Sequence, residues 1–177
     1  MRISDKGLDI IKAHEGLRLD AYQDQAGIWT IGYGHANHGM GVNPSMVITK
    51  QEADTLLRQD AQTAENAVNS QITAPLTQSQ FDALASWTFN LGGGSLYNST
   101  LKQKVNADPT DSSIYDEFMR WVNAGGQVSN GLVKRRKSEA DLYFSDVKKK
   151  EILLILIVLI VVGVSAYLLW ANKLIKI

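Results

Sequence analysis

Cysteine is absent from this 177-residue chain. That removes a disulfide framework, a thiolate metal site and a cysteine nucleophile together. A long basic tract is also missing: the only basic clusters are residues 134–137 and 148–150, too small to make DNA or RNA the expected partner. The three histidines, His14, His35 and His38, do not stand at metal-ligand spacing, so neither a metal nor any other cofactor is expected. Charges interrupt the start of the chain (Met1-Arg-Ile-Ser-Asp-Lys), which leaves no cleavable export signal to be expected there. Acidic residues are lacking beyond Glu151, where only Lys173 and Lys176 carry charge. The balance of 18 basic and 18 acidic residues therefore averages two unlike parts. There is no internal repeat and no low-complexity linker, and the length suits one domain with an appendage.

What is present reads as α+β. Residues 4–14 predict a short amphipathic helix with Leu8, Ile10 and Ile11 on its apolar face and Ser4 as N-cap, its hydroxyl accepting from a free backbone N–H. Between residues 17 and 35, Leu17, Leu19 and Ala21 alternate with polar residues and Gly27, Gly32 and Gly34 intervene, the pattern of small antiparallel strands and tight turns. A Gly/Asn/Pro-rich loop covers residues 37–44. Thr49-Lys-Gln-Glu52 has the form of a capping box before a helix reaching residue 70, and Thr77-Gln-Ser-Gln80 repeats it. The second of these helices should end at Gly92-Gly-Gly94. Further helices are expected over residues 100–106, 112–123 and 132–144. The result is a small sheet beside a larger helical lobe.

The chemistry concentrates in Glu15-Gly-Leu-Arg-Leu and in Asp24 through Thr30-Ile-Gly-Tyr-Gly-His35. A helix end and a hairpin can bring Glu15, Asp24 and Thr30 to one cleft. Two carboxyls of unlike character suit glycoside hydrolysis: a partly buried Glu15 that keeps its proton and a more solvated Asp24 that stays charged. By itself a pair of acids at this spacing more often serves surface solvation. The surrounding pattern, however, resembles the active-site signature of the phage-type lysozymes of glycoside hydrolase family 24: Glu, eight residues, Asp, five residues, Thr, then Ile-Gly-x-Gly-His. Downstream, Trp121-Val-Asn-Ala-Gly-Gly126, Gly131-Leu-Val-Lys-Arg-Arg136 and Glu139 resemble the C-terminal motif of lambdoid phage endolysins in the same family. The resemblance covers residues 3–144. It implies a lysozyme-like fold with the active site between a sheet lobe and a helical lobe, and peptidoglycan as substrate. The activity it implies is an N-acetylmuramidase, with Glu15 as general acid and Thr30 holding the attacking water beside Asp24. A held water implies inversion, with the carboxyls about 6.5–9.5 Å apart. A lytic transglycosylase and a non-catalytic wall-binding protein on the same fold are the competing readings.

Other positions stay open. Gly34, His35, Trp121, Gly125, Gly126 and Arg136 are candidates for substrate binding. His35 could equally be hydrogen-bonded to a nearby carboxylate for structural reasons, and Gly125 and Gly126 could simply make a turn. Either Arg135 or Arg136 could pair with Glu15, and a solvated helix face suits at least one of them. Trp87, Phe89 and Trp121 could stack on sugars, although aromatics at helical spacing more often form core.

The last segment is of another kind. Residues 152–170 carry no charge and are mostly Leu, Ile and Val; as a helix they would extend about 28 Å, close to the hydrocarbon thickness of a bilayer. Tyr167 and Trp170 suit one interface and Lys148 to Lys150 flank the other. Residues 1–147 are thus expected to be the catalytic domain and residues 148–177 a basic flank, a transmembrane helix and a short tail. Three lysines before the span against two after it place the catalytic domain on the cytoplasmic side of a host inner membrane. Peptidoglycan lies on the other side. The enzyme would then wait for a holin or membrane collapse, insert with its domain outward, or belong to a virion with an internal membrane and open the wall on entry.

Overall fold

The computed structural model describes residues 1–24, 26–36 and 41–146, together with Ile157 and Ile160. Met1–Tyr143 forms one compact unit and Phe144–Ile177 another. The expected span lies outside the described residues, apart from those two isoleucines, and so do His38 and Lys148 to Lys150. Among the described residues no helix is long and apolar enough to cross a membrane.

Both capping boxes form. At the start of α2 (Lys50–Gln71) and of α3 (Gln78–Leu91), the threonine hydroxyl accepts from the backbone N–H three residues on. The Glu52 or Gln80 side chain returns a bond to the threonine N–H. Two free donors are satisfied at each helix end. The N-terminal helix α1 (Asp5–Glu15) starts differently from the expectation, since the Ser4 hydroxyl makes no cap bond. It donates instead to Asp82 Oδ2, while the Ser4 N–H donates to Asp82 Oδ1 at 2.8 Å. A buried carboxylate on α3 competes successfully for the hydroxyl, because charge-assisted bonds are the stronger ones. Gly7 is what permits this approach: a Cβ there would lie 2.5 Å from Ile3 Cγ1 and 2.9 Å from Asp82 Cβ.

Helix α3 is the axis of the helical lobe. Every residue from Ser79 to Thr88 is buried, and the helix packs against α1, α2, a short α4 (Gly93–Asn98) and the last helix α7 (Asn130–Tyr143). Phe81, Leu84 and Trp87 are each about fully enclosed, worth roughly 1.5–3 kcal/mol per side chain. Of the three glycines expected to end α3, Gly92 does so, and Gly93 and Gly94 begin α4. Ser99 caps α5 (Thr100–Ala107). Helix α6 (Ile114–Met119) is shorter than the sequence suggested, because the chain after Trp121 turns into a hairpin instead.

The small sheet has the order β1 (Arg18–Gln23), β2 (Trp29–Gly32), β3 (His35–Ala36), all antiparallel. Residues 46–48 add an edge to β1 through Ala21 N–H to the Met46 carbonyl at 3.0 Å and Ile48 N–H to the Leu19 carbonyl at 2.9 Å. The central strand packs on α2, which β3 also touches; Ile31 is fully buried, whereas Leu17 and Leu19 stay 38% and 37% exposed. Alternation announced the strands correctly but not a buried face for β1. A second hairpin, β4 (Asn123–Ala124) with β5 (Gln127–Val128), was not anticipated. Its two loop residues are Gly125 and Gly126 at φ 58° and 79°, the left-handed pair that a tight two-residue hairpin requires.

Candidate active site

Glu15 is the last residue of α1. The carbonyl end of a helix disfavours negative charge there. Against this, Arg135 Nη1 donates to Glu15 Oε1 at 2.7 Å. The Glu15 side chain is 27% exposed and the Arg135 side chain 5%. The question of which arginine meets Glu15 is therefore answered by geometry, and the other has no solvated face either. Arg136 is completely buried: it lies with Nε 2.9 Å from Glu139 Oε2 and donates through Nη2 to Asn90 at 3.0 Å. Enclosed in this way, Arg136 has no surface with which to meet a saccharide, contrary to its expected place among the substrate contacts.

Behind the Glu15–Arg135 pair sits Glu139, fully buried. Its Oε1 accepts from Ser86 Oγ at 2.8 Å, Arg136 Nη2 at 3.1 Å and Arg135 Nε at 3.3 Å. Burial pushes the Glu139 carboxyl up, and Arg136 and Arg135 oppose it. Since every one of these partners is a donor, the geometry holds Glu139 as a carboxylate. His14, beside Glu15 in sequence, is pushed below its ordinary value by partial burial and then by Arg135 and Arg136.

Asp24 is placed by main chain. It follows β1 directly, and its Oδ1 accepts from Ala26 N–H at 2.8 Å and Ile28 N–H at 2.9 Å. Its backbone N–H and carbonyl close the same turn on Ile28 and Gly27. Aspartate favours such turns because its side chain imitates a backbone acceptor. Thr30 on β2 is 3% exposed, and its hydroxyl donates to the Ile28 carbonyl at 3.1 Å. One residue, Ile28, thus bonds both side chains, Asp24 through its N–H and Thr30 through its carbonyl. Oδ2 of Asp24 and the lone pairs of Thr30 Oγ1 carry no such bond among the described residues. Solvation does not separate the two acids in the expected way, because Asp24 is itself half-buried. Their partners separate them: peptide N–H groups for Asp24 and a guanidinium for Glu15.

The remaining candidates divide. His35 Nδ1 lies 2.9 Å and 3.0 Å from the two oxygens of Asp60 on α2, a carboxylate partner that sequence spacing could not name. Gly34 occupies the β2–β3 turn at φ 91°. Trp121 is half-buried and meets Trp87 edge-on, with centroids 5.1 Å apart at 84°. Trp87 is core, while Trp121 borders a cavity of about 350 Å³ shared with Asn98, Ser99, Thr100 and Arg120. A Cβ at Gly125 or Gly126 would meet nothing within 4 Å, so the positive φ of the turn, and no crowding neighbour, calls for glycine at both. Among the described residues no cluster of His, Asp or Glu could hold a metal ion.

Comparison with known proteins places these residues in company. The family profile described as phage lysozyme matches residues 12–139, a span that contains Glu15, Asp24, Thr30, Arg135 and Glu139. The endolysin of Acyrthosiphon pisum secondary endosymbiont phage 1 is 44% identical over 149 residues, covering 82% of this chain and 99% of that protein. The endolysin of Bacillus phage B103 is 43% identical over 151 residues; there the chain spans about half of the relative's length, 56%. Among solved structures, the muramidase domain of SpmX from Asticcacaulis excentricus is 37% identical with a TM-score of 0.71, covering 80% of this chain and 97% of that domain.

Proposed function

The chain belongs to the phage lysozyme family, and we infer that it hydrolyses peptidoglycan as an N-acetylmuramidase, cutting the β-1,4 bond between N-acetylmuramic acid and N-acetylglucosamine. The observation that carries this reading is that the two acids are held in different ways: Glu15 on a guanidinium at a helix end and Asp24 on peptide N–H groups. Glu15 gives its proton to the glycosidic oxygen. Asp24 Oδ2 and Thr30 Oγ1 hold the attacking water, Asp24 as its base, and the reaction inverts the anomeric centre. His35 and Trp121, with the turns at Gly34 and at Gly125 and Gly126, border the saccharide.

The domain of residues 1–147 is tied to a bilayer by a helix at residues 152–170, following the basic flank. The reading rests on the uncharged apolar run in the sequence. The lysine bias favours a cytoplasmic-side domain that reaches the wall after a holin or membrane collapse opens the way.

The decisive experiment uses the full chain in detergent on purified sacculi. Glu15→Gln is expected to lower the rate by about 10²–10⁴-fold; undiminished lysis would defeat the enzymatic reading. Muropeptides ending in reducing muramic acid are expected, and anhydro ends would reassign the chain as a transglycosylase. Digestion of the domain by protease added outside intact spheroplasts would overturn the cytoplasmic placement.

A further inference from the structure

A general acid paired to a guanidinium poses a difficulty. The cation favours the carboxylate, yet the acid must arrive at the glycosidic oxygen with its proton. Two guanidiniums stand on this side of Glu15. Arg135 touches it at 2.7 Å, and Arg136 follows on the same helix. Glutamate is an unusual residue to bury completely, and Glu139 does nothing for substrate directly. It nevertheless takes an ion pair from each arginine, at 3.3 Å from Arg135 Nε and 2.9 Å from Arg136 Nε.

We propose that Glu139 is a positioning residue for the reaction: it cancels one of the two guanidinium charges and holds Arg135 by its Nε, so that Glu15 meets a single fixed donor. The proposal rests on the reading of Glu15 as the acid. The arithmetic is short. With Glu139 charged, Arg135, Arg136 and Glu139 sum to one positive charge facing Glu15. Without it they sum to two. Among the described residues the neighbouring groups do not supply a substitute. From α3 the cluster meets Ser86 and Asn90, both uncharged. From α1 it meets His14, pushed down by burial and by the arginines, besides Glu15 itself. Glu117 on α6 is engaged by Thr100, Lys104 and Arg120. Asp82 on α3 is taken by Ser4 and Gln78.

The test is the pH–rate profile of the full chain on purified sacculi. Glu139→Gln keeps the shape, and an amide oxygen in place of Oε1 can still accept from Ser86, Arg135 and Arg136, while its NH2 replaces the oxygen that faces Arg136 Nε. Its alkaline limb is expected to fall by about one pH unit, with the rate on the acid side kept within about threefold. The double variant Glu139→Gln with Arg136→Gln restores the net charge and is expected to return the limb to its original place. A limb that stays put in a folded Glu139→Gln, or one that the second substitution does not rescue, overturns the proposal and leaves Glu139 a packing residue. Should Glu139→Gln fail to fold, Arg136→Gln alone serves, because the same arithmetic requires its limb to move up; no movement, or movement down, overturns it. Failure of the parent reading shows separately, as lysis surviving Glu15→Gln.

Discussion

The two acids of the candidate site, Asp24 and Glu15, are held by opposite means. Asp24 belongs to a turn and is held by main-chain N–H groups. Glu15 belongs to a helix end and is held by a chain of buried charged side chains, Arg135, Glu139 and Arg136. A turn that uses its own peptide groups needs little from the rest of the molecule. A buried ion network depends on every member, since a charge left without its partner in the interior costs far more than a pair contributes. The sheet side should therefore tolerate changes of charge structurally while losing chemistry, and the helical side should lose structure first.

The largest effect tests the helical side. Glu139→Leu leaves two enclosed guanidiniums facing each other and is expected to cost about 3–5 kcal/mol of stability, read as a shift in the denaturant midpoint of the full chain. A loss below about 1 kcal/mol would mean that the network is solvated after all. Next comes Asp24→Asn on the sheet side. The asparagine oxygen can accept from Ala26 and Ile28 as the carboxylate does, so the turn survives and stability changes by less than about 1 kcal/mol. The wall-cleaving rate falls by about 10²–10³-fold, equivalent to roughly 3–4 kcal/mol of barrier. Equal losses of stability in the two variants would erase the contrast.

How much of this could be read beforehand follows the same division. Local signals were legible: both capping boxes, the glycine that ends α3, and the strand–turn–strand around Asp24 all act within a few residues. The spacing of Glu15, Asp24 and Thr30 was legible because it belongs to one continuous stretch and one family pattern. What remained hidden was long-range. The choice between Arg135 and Arg136 depends on how α7 is rotated against α1, and no residue in either helix declares it. Asp60 is 25 positions from His35 and sits among several acids on α2 that looked equally suitable. Ser4 is the N-cap residue as expected, but the partner of its hydroxyl was hidden, because Asp82 lies 78 positions away. Glu139 had a visible clue in its i, i+3 and i, i+4 spacing from the two arginines, but that spacing reads equally well as an exposed ion pair. A turn at Gly125 and Gly126 was a recognised alternative, and their positive φ angles fit it, but the short strands on either side had no signal of their own.

A smaller effect probes that hairpin. Gly126→Ala places a side chain at φ 79° where no neighbour crowds it, so the expected cost is conformational only, about 1 kcal/mol. Wall cleavage at saturating substrate should be unchanged. A raised KM without loss of stability would instead indicate that a saccharide lies against the backbone at this point.

The smallest effect returns to the helical side, at His14. Its folded value lies below the ordinary 6.5, chiefly through burial and then through Arg135 and Arg136. The unfolded chain therefore binds a proton here more readily than the folded one. The stability linked to His14 is complete above the unfolded value near pH 6.5, and it is lost as the pH falls from there towards the lower folded value. His14→Gln removes the titration, so the drop in melting temperature between pH 7 and pH 5 should be smaller in the variant than in the parent chain. A larger drop would show that the imidazolium is welcomed beside Glu15. In that case the carboxylate, rather than the two arginines, would dominate the field at this end of α1.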